Sequence, residues 1–412
     1  MRLHTRLGVS ILFTLLSLLS IALLLPAARV SADLQRIALG TSIDRYAGGL
    51  WTWVKGGDPA DGSGVRVVVF GDSWADGMEG AEEDGKEVLG RGRCWAGWLC
   101  EEVSIGCVLG FIYMVLMTSQ VNCSALLSFA ASQPWEASPP TGAVTWKQLY
   151  TSPPLNLAMS PLPDLAAQIQ EFFSSQSSST SEETLFAISF GFWDIYHLAS
   201  QDYELAQNLT DVVVDHLISQ INLLYTHFTN DVSSRPRNKT SSIPPFQLAI
   251  PKLFDPTLVP GWISQRSMPT PPSSIAEQQK QAVYLTERWN LLLENALGSW
   301  ITAGASANDA ETANETALLP RRDIFYYDLP QYILDIIVEY QLKGESLFAS
   351  VAEPCLGDGA GDESWDDGVR NTVCVDPAAY LFWDGFNLGE RANEGIGRAI
   401  AGMVRAGRRM GG

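Results

Sequence analysis

The stretch VRVVVFGDSWADG, residues 65–77, sets a hydroxyl where an α/β fold presents a nucleophile. A run of β-branched residues ends at Gly71-Asp72-Ser73, so Ser73 stands just past the carboxyl end of a strand. A serine hydroxyl is a poor nucleophile until a neighbouring base takes its proton. Asp72 reads as a cap on the turn below the serine rather than as a second acid. No Cys/His cluster has zinc spacing, no glycine-rich loop suits phosphate and no EF-hand pattern occurs, so neither a metal nor a cofactor is expected.

Such a serine needs a sheet behind it. Five apolar runs, at 65–70, 125–130, 185–190, 246–251 and 324–327, have the near-continuous hydrophobicity of buried parallel strands. Helical patterns alternate with them at 163–173, 211–228 and 330–342, and another closes the chain. Ser274 and Glu277 form a capping box that opens a long helix. This alternation predicts a three-layer α/β/α sandwich on a five-stranded parallel sheet, with its ligand site beyond the carboxyl ends of the strands. The polar stretches at 77–92, 174–183, 233–242 and 356–371 read as surface loops with little regular structure.

Four blocks carry a resemblance to a known family. FGDSW (70–74), SFAAS (128–132), FGFWD (190–194) and WDGFN (383–387) follow, in order and in strand context, the blocks of the GDSL or SGNH hydrolases. The resemblance runs from about residue 60 to the end of the chain. It implies a flavodoxin-like hydrolase domain over 63–410, with Ser73 as nucleophile and Asp384 as the carboxylate that orients the base. It also implies an oxyanion hole made by the Ser73 N–H and by donors at Ala131, Ser132 or Gln133 and at Trp193, in a loop with Gly191 and Asp194.

The chain departs from that pattern where it matters most. Asn387 stands at the histidine position and Trp193 at the oxyanion asparagine position. An amide has no titratable nitrogen near neutral pH, and losing the base of a serine hydrolase costs about a millionfold in turnover. The Trp193 indole N–H can still donate. Of the histidines outside the leader, His216 and His227 read as surface or core-edge residues. His197, one helical turn after Asp194, reads as a packed or Asp194-bonded histidine or as a relocated base. Two functions follow: a hydrolase of acyl esters of carbohydrates or lipids, or a degenerate relative that binds such a ligand without turnover. The 13 tryptophans, Trp74, Trp193 and Trp383 among them, read as core or as sugar-stacking faces.

The chain has 412 residues and a net charge of −19. Its few basic residues form no long run, which argues against nucleic acid as a partner. Residues 1–32 read as a signal peptide cut before Asp33, or as a signal anchor, because the apolar run at 7–25 is long enough to span a bilayer. Cleavage removes Arg2, Arg6 and Arg29 and takes the charge from −19 to −22. Residues 33–62 are then an N-terminal extension. The expected product is a secreted monomer with no membrane span, the alternative being a membrane-anchored one. Sequons at Asn122, Asn208, Asn238 and Asn314 fit secretory passage. So do disulfides, for which Cys355–Cys374 is the expected pair, with Cys100–Cys123 a second if residues 103–120 are excised. The uncharged stretch 103–120 fits badly. It reads as a buried hairpin or helix, as a membrane-associated loop, or as a retained intron, because Val-Ser and Gln match splice-site codons and its length keeps the frame.

Overall fold

The computed structural model describes residues 65–75, 81–83, 86–88, 92–103, 143–157, 162–175, 183–234, 243–266, 269, 273–308, 319–343, 347–356, 374 and 376–411. Residues 59–405 form one compact unit. A second comprises 1–58 and 406–412, of which only the end of the last helix is described. The leader, the segment 103–120 beyond its first residue, and the sequons at Asn122, Asn238 and Asn314 lie outside the described residues.

Along the chain the strands are β1 (Val65–Gly71), β2 (Ala81–Glu83), β3 (Lys86–Val88), β4 (Glu183–Ser189), β5 (Phe246–Pro251), β6 (Arg322–Tyr327), β7 (Ser350–Pro354) and β8 (Tyr380–Phe382). The helices are α1 (Trp95–Val103), α2 (Lys147–Thr151), α3 (Leu165–Ser175), α4 (Phe192–Leu198), α5 (Tyr203–Ser234), α6 (Gly261–Ser264), α7 (Ile275–Asn308), α8 (Leu329–Lys343) and α9 (Glu390–Gly411). No helix among the described residues is long and apolar enough to cross a membrane.

The fold is α/β, as the alternation predicts. The described sheet is parallel, in the order β1-β4-β5-β6, with Val65 opposite Glu183 and Phe246 opposite Arg322. It has four strands against the five expected, because the run at 125–130 lies outside the described residues. Val67, Val68, Val69 and Phe70 are all fully buried, so both faces of β1 are covered, as a parallel strand requires. One cover is aromatic. Phe172 of α3, Phe228 of α5 and Trp300 of α7 pack on Phe70, Phe186 and Phe246 of the sheet.

The capping box forms as the sequence predicts. The Ser274 N–H donates to Glu277 Oε2 at 2.9 Å, and the Glu277 N–H donates to Ser274 Oγ at 3.2 Å. One loop is corrected. The stretch 77–92, read as irregular, contains the antiparallel pair β2–β3, with Ala81 opposite Val88. The signal was the two-residue Asp84-Gly85 link, among the strongest short hairpin cues.

The far end of the chain is braced back onto the domain. The expected Cys355–Cys374 disulfide is present and packs against Trp383. It ties β7 to the residues leading into β8, and the Cys355 N–H donates to Phe382 O at 3.0 Å. Cys100 is also disulfide-bonded, while its expected partner Cys123 lies outside the described residues. After β8, α9 crosses α1 closely: a Cβ on Gly397 would stand 2.5 Å from Trp95 O. Glu102 of α1 then holds Arg398 at 3.4 Å and Arg405 at 3.0 Å.

Candidate active site

The site is assembled by three segments that follow strands. The first is the turn after β1. The Asp72 N–H extends the ladder to Ser189 O at 3.1 Å, and Asp72 Oδ1 accepts the Trp74 N–H at 3.0 Å. Asp72 is thus the turn cap the sequence suggests, and it leaves Ser73 half-buried at the apex. Gln168 of α3 fixes the same turn from the side. Its Oε1 accepts the Gly71 N–H and its Nε2 donates to Gly71 O, both at 3.0 Å. A buried amide therefore replaces a neighbouring strand at the last residue of β1.

The second segment is the turn from β4 into α4. Gly191 caps α4 with φ +116°, a conformation few side chains adopt. A Cβ there would also stand 2.7 Å from the Trp289 ring. Gly191→Ala is therefore expected to cost about 2–3 kcal/mol, from strain and overpacking together, measured by denaturant unfolding. The turn aims Trp193 at the serine: its indole Nε1–H donates to Ser73 Oγ at 3.2 Å. Asp194, the next residue, faces the other way. Its carboxylate is fully buried and accepts from the Thr145 N–H at 3.0 Å, the Thr145 hydroxyl at 2.7 Å and the Tyr150 hydroxyl at 2.7 Å. Burial raises the Asp194 pKa, and these hydrogen bonds oppose that rise. Asp194 holds the segment before α2 against α4, and both of its oxygens are occupied.

The third segment joins β8 to α9. Asp384 Oδ1 accepts the N–H groups of Phe386 and Asn387 at 2.8 and 2.7 Å. Asn387 Nδ2 donates to both Asp384 oxygens, at 3.1 and 2.9 Å. Asn387 Oδ1 is buried and has no hydrogen-bond partner among the described residues. The Gly261 N–H of α6 donates to Gly385 O at 2.6 Å and fixes the turn from outside. Phe386 then closes the gap to the second segment, 5.2 Å from the Trp193 ring and 5.6 Å from Tyr196. Trp193 thus touches both ends of the chain, Ser73 through its N–H and Phe386 through its ring.

The chemical content is a serine hydroxyl, an indole donor, and a carboxylate–amide pair in place of a carboxylate–imidazole pair. The resemblance implies an imidazole at position 387, and the amide supplies only part of what such a ring would. It donates to Asp384 and carries an acceptor on its far side, but that acceptor cannot hold a proton near neutral pH.

The three candidate histidines are placed differently. His216 stacks on Trp146 at 4.5 Å and His227 on Phe173 at 3.9 Å, so both are the core-edge rings expected of them. His197 lies 6.0 Å from the Tyr150 ring and 5.7 Å from Tyr196. Burial, then the Arg266 charge, push its pKa down to about 4. The candidates Ala131, Ser132 and Gln133 lie outside the described residues. Trp74, Trp193 and Trp383 are at most 8% exposed, so they fill core rather than offer open stacking faces. A cavity of about 20 Å³ lies beside the turn, lined by Asp72, Trp74, Ser189, Phe192 and Lys252. It has room for about one water, and the buried Trp74 indole N–H lacks a partner among the described residues.

Gln168, Thr145, Tyr150 and Phe386 were not singled out by sequence. Gln168 carried a signal, since it lies on the apolar face of α3 beside Leu165 and Ile169.

No family model matches the chain, and no curated protein is similar to it. Among solved structures, the native M. smegmatis aryl esterase is similar at 14% identity, with a TM-score of 0.33 over 83% of this chain and 98% of that one. The inhibitor-bound form of the same esterase gives a TM-score of 0.34 at 14% identity over the same shares.

Proposed function

We propose that the chain is a secreted SGNH-type protein with a serine ester-hydrolase site, in which Ser73 is the nucleophile toward acyl esters of carbohydrates or lipids. The observation that carries this reading is the 3.2 Å bond from the Trp193 indole to Ser73 Oγ. It joins the first strand's turn to α4, and α4 in turn packs on the Asp384 turn. The disulfide and the exposed side chain of Asn208, which heads a sequon, agree with secretory passage. In this reading the acyl carbonyl accepts from Trp193 and from the Ser73 N–H as charge develops on its oxygen. Asp384 orients Asn387, and because that amide takes up no proton, the Ser73 proton passes to solvent water, which makes its removal the slow step.

A second reading rests on a different observation. The Asn387 amide nitrogen is spent on the two Asp384 oxygens, and the side chain offers an amide oxygen in place of a base. This favours a degenerate site that binds an acyl or glycan ligand without turnover.

A fluorophosphonate probe separates the two, read by mass spectrometry of the full-length protein. Labelling at Ser73 that is lost on denaturation supports the hydrolase. No labelling of a folded protein that still binds an ester ligand supports the degenerate reading. Labelling at another serine contradicts both.

A further inference from the structure

The sequon Asn208-Leu209-Thr210 lies wholly inside the helix α5, and its two chemically essential side chains are displayed unequally. Asn208 is exposed, whereas Thr210 is fully buried. The Thr210 hydroxyl is also occupied, donating to Ala206 O at 2.8 Å. The helical repeat is the cause. Residues two apart on a helix are turned by about 200° around its axis, so one faces solvent while the other faces the core. In an extended chain the same two side chains share one face. A sequon is read through both, because the transferase takes the asparagine amide and requires the hydroxyl two residues on. Long helices in proteins draw most of their stability from packing an apolar face, and α5 buries Val213, Val214 and Leu217 on the side of Thr210. Part of its cover is α7. Arg288 of α7 donates from Nε and Nη2 to the Asp211 carboxylate, both at 2.6 Å, and the Trp300 ring lies 5.3 Å from Tyr225. α7 follows α5 in the chain, so during synthesis the sequon is made before its cover.

We propose that Asn208 carries an N-linked oligosaccharide added only before α5 docks on α7, and that the folded chain is closed to this modification. The Asn208 side-chain nitrogen displaces a lipid diphosphate from the anomeric carbon of the donor oligosaccharide. The C–N bond forms as the C–O bond breaks, and the nitrogen gives its proton to a base of the transferase. Because the Asn208 side chain is exposed in the finished helix, the attached sugar displaces no core residue. The proposal rests on the secretory reading above and uses none of the chemistry at Ser73.

The test expresses the full-length chain in a secreting eukaryotic cell and reads the peptide bearing Asn208 by mass spectrometry. The expected result is an oligosaccharide on Asn208 of the chain in the medium, and none in Thr210→Val, which keeps the side chain's shape and loses its hydroxyl. Timing is read on full-length chains made in a host that does not glycosylate, then given purified transferase and a dolichyl-diphosphate oligosaccharide. The unaltered folded chain should stay unmodified at Asn208. Val213→Pro, which breaks α5 within about one turn of the sequon, is expected to be modified at least about tenfold faster. A bare Asn208 on chain recovered from the medium overturns the site. An unaltered folded chain modified as fast as Val213→Pro overturns the timing. A chain kept in the cytosol overturns the secretory reading and this site with it, and leaves the Ser73 reading standing.

Discussion

Asn387→His is expected to raise the rate of acyl-ester hydrolysis by about a hundred- to ten-thousandfold, the usual worth of a positioned general base. The site is already arranged for it. Asp384 takes two backbone N–H groups and the Asn387 amide, so its carboxylate is held in place before any imidazole arrives. An imidazole at position 387 donates from Nδ1 to Asp384, which fixes the tautomer with its lone pair on Nε2. It supplies a basic acceptor where Asn387 now has only an unpartnered amide oxygen. The gain should appear as pH rises through the histidine range, because only the neutral ring accepts a proton. Hydrolysis of a chromogenic short-chain ester across pH 5–9 measures it, with Asn387→Gln as the control that adds length and no base. Adding Asp384→Asn should remove most of the gain, since the ring is then held in the wrong tautomer.

The second large effect is on stability. Asp194→Ala is expected to destabilise the domain by about 3–5 kcal/mol, measured by urea unfolding. The substitution strands three donors, the Thr145 N–H, the Thr145 hydroxyl and the fully buried Tyr150 hydroxyl. It also frees the start of α4, which aims Trp193, so loss of Ser73 reactivity should accompany loss of stability. The sign of the pH effect follows from the raised Asp194 pKa. The folded state holds this proton more firmly than the unfolded state does. Asp194 therefore supports the fold most below the unfolded value of 3.8, and its contribution declines as pH rises through the folded pKa. In the Ala variant that part of the pH dependence should vanish.

Much of this arrangement was written in local patterns. β1, β4, β5 and β6 were legible because buried parallel strands read as unbroken apolar runs. The α7 start was legible because a capping box is four residues of local chemistry. Cys355 and Cys374 were legible as brackets of one acidic loop. What escaped depends on distant partners. Nothing near Gln168 says that its amide pairs with the Gly71 backbone, 97 residues away. Nothing near Asp194 says that Thr145 and Tyr150 will claim both its oxygens. An Asp beside a catalytic loop reads as a ligand contact until its burial is known. The Trp193–Ser73 bond lies between these extremes. The indole was legible as a possible donor, but its aim is set by Gly191 and by the packing of Phe386, residues that sequence spacing alone does not bring together.

The site-resolved rate at which a fluorophosphonate modifies Ser73 in Asn387→His, followed across pH, bears most directly on the claim that the two ends of the chain build one catalytic site. The expected rate lies far above that of the unaltered protein, rises through the histidine range and is confined to Ser73. A rate equal to that of the unaltered protein at every pH, in a variant that folds normally, would show that position 387 does not serve this serine.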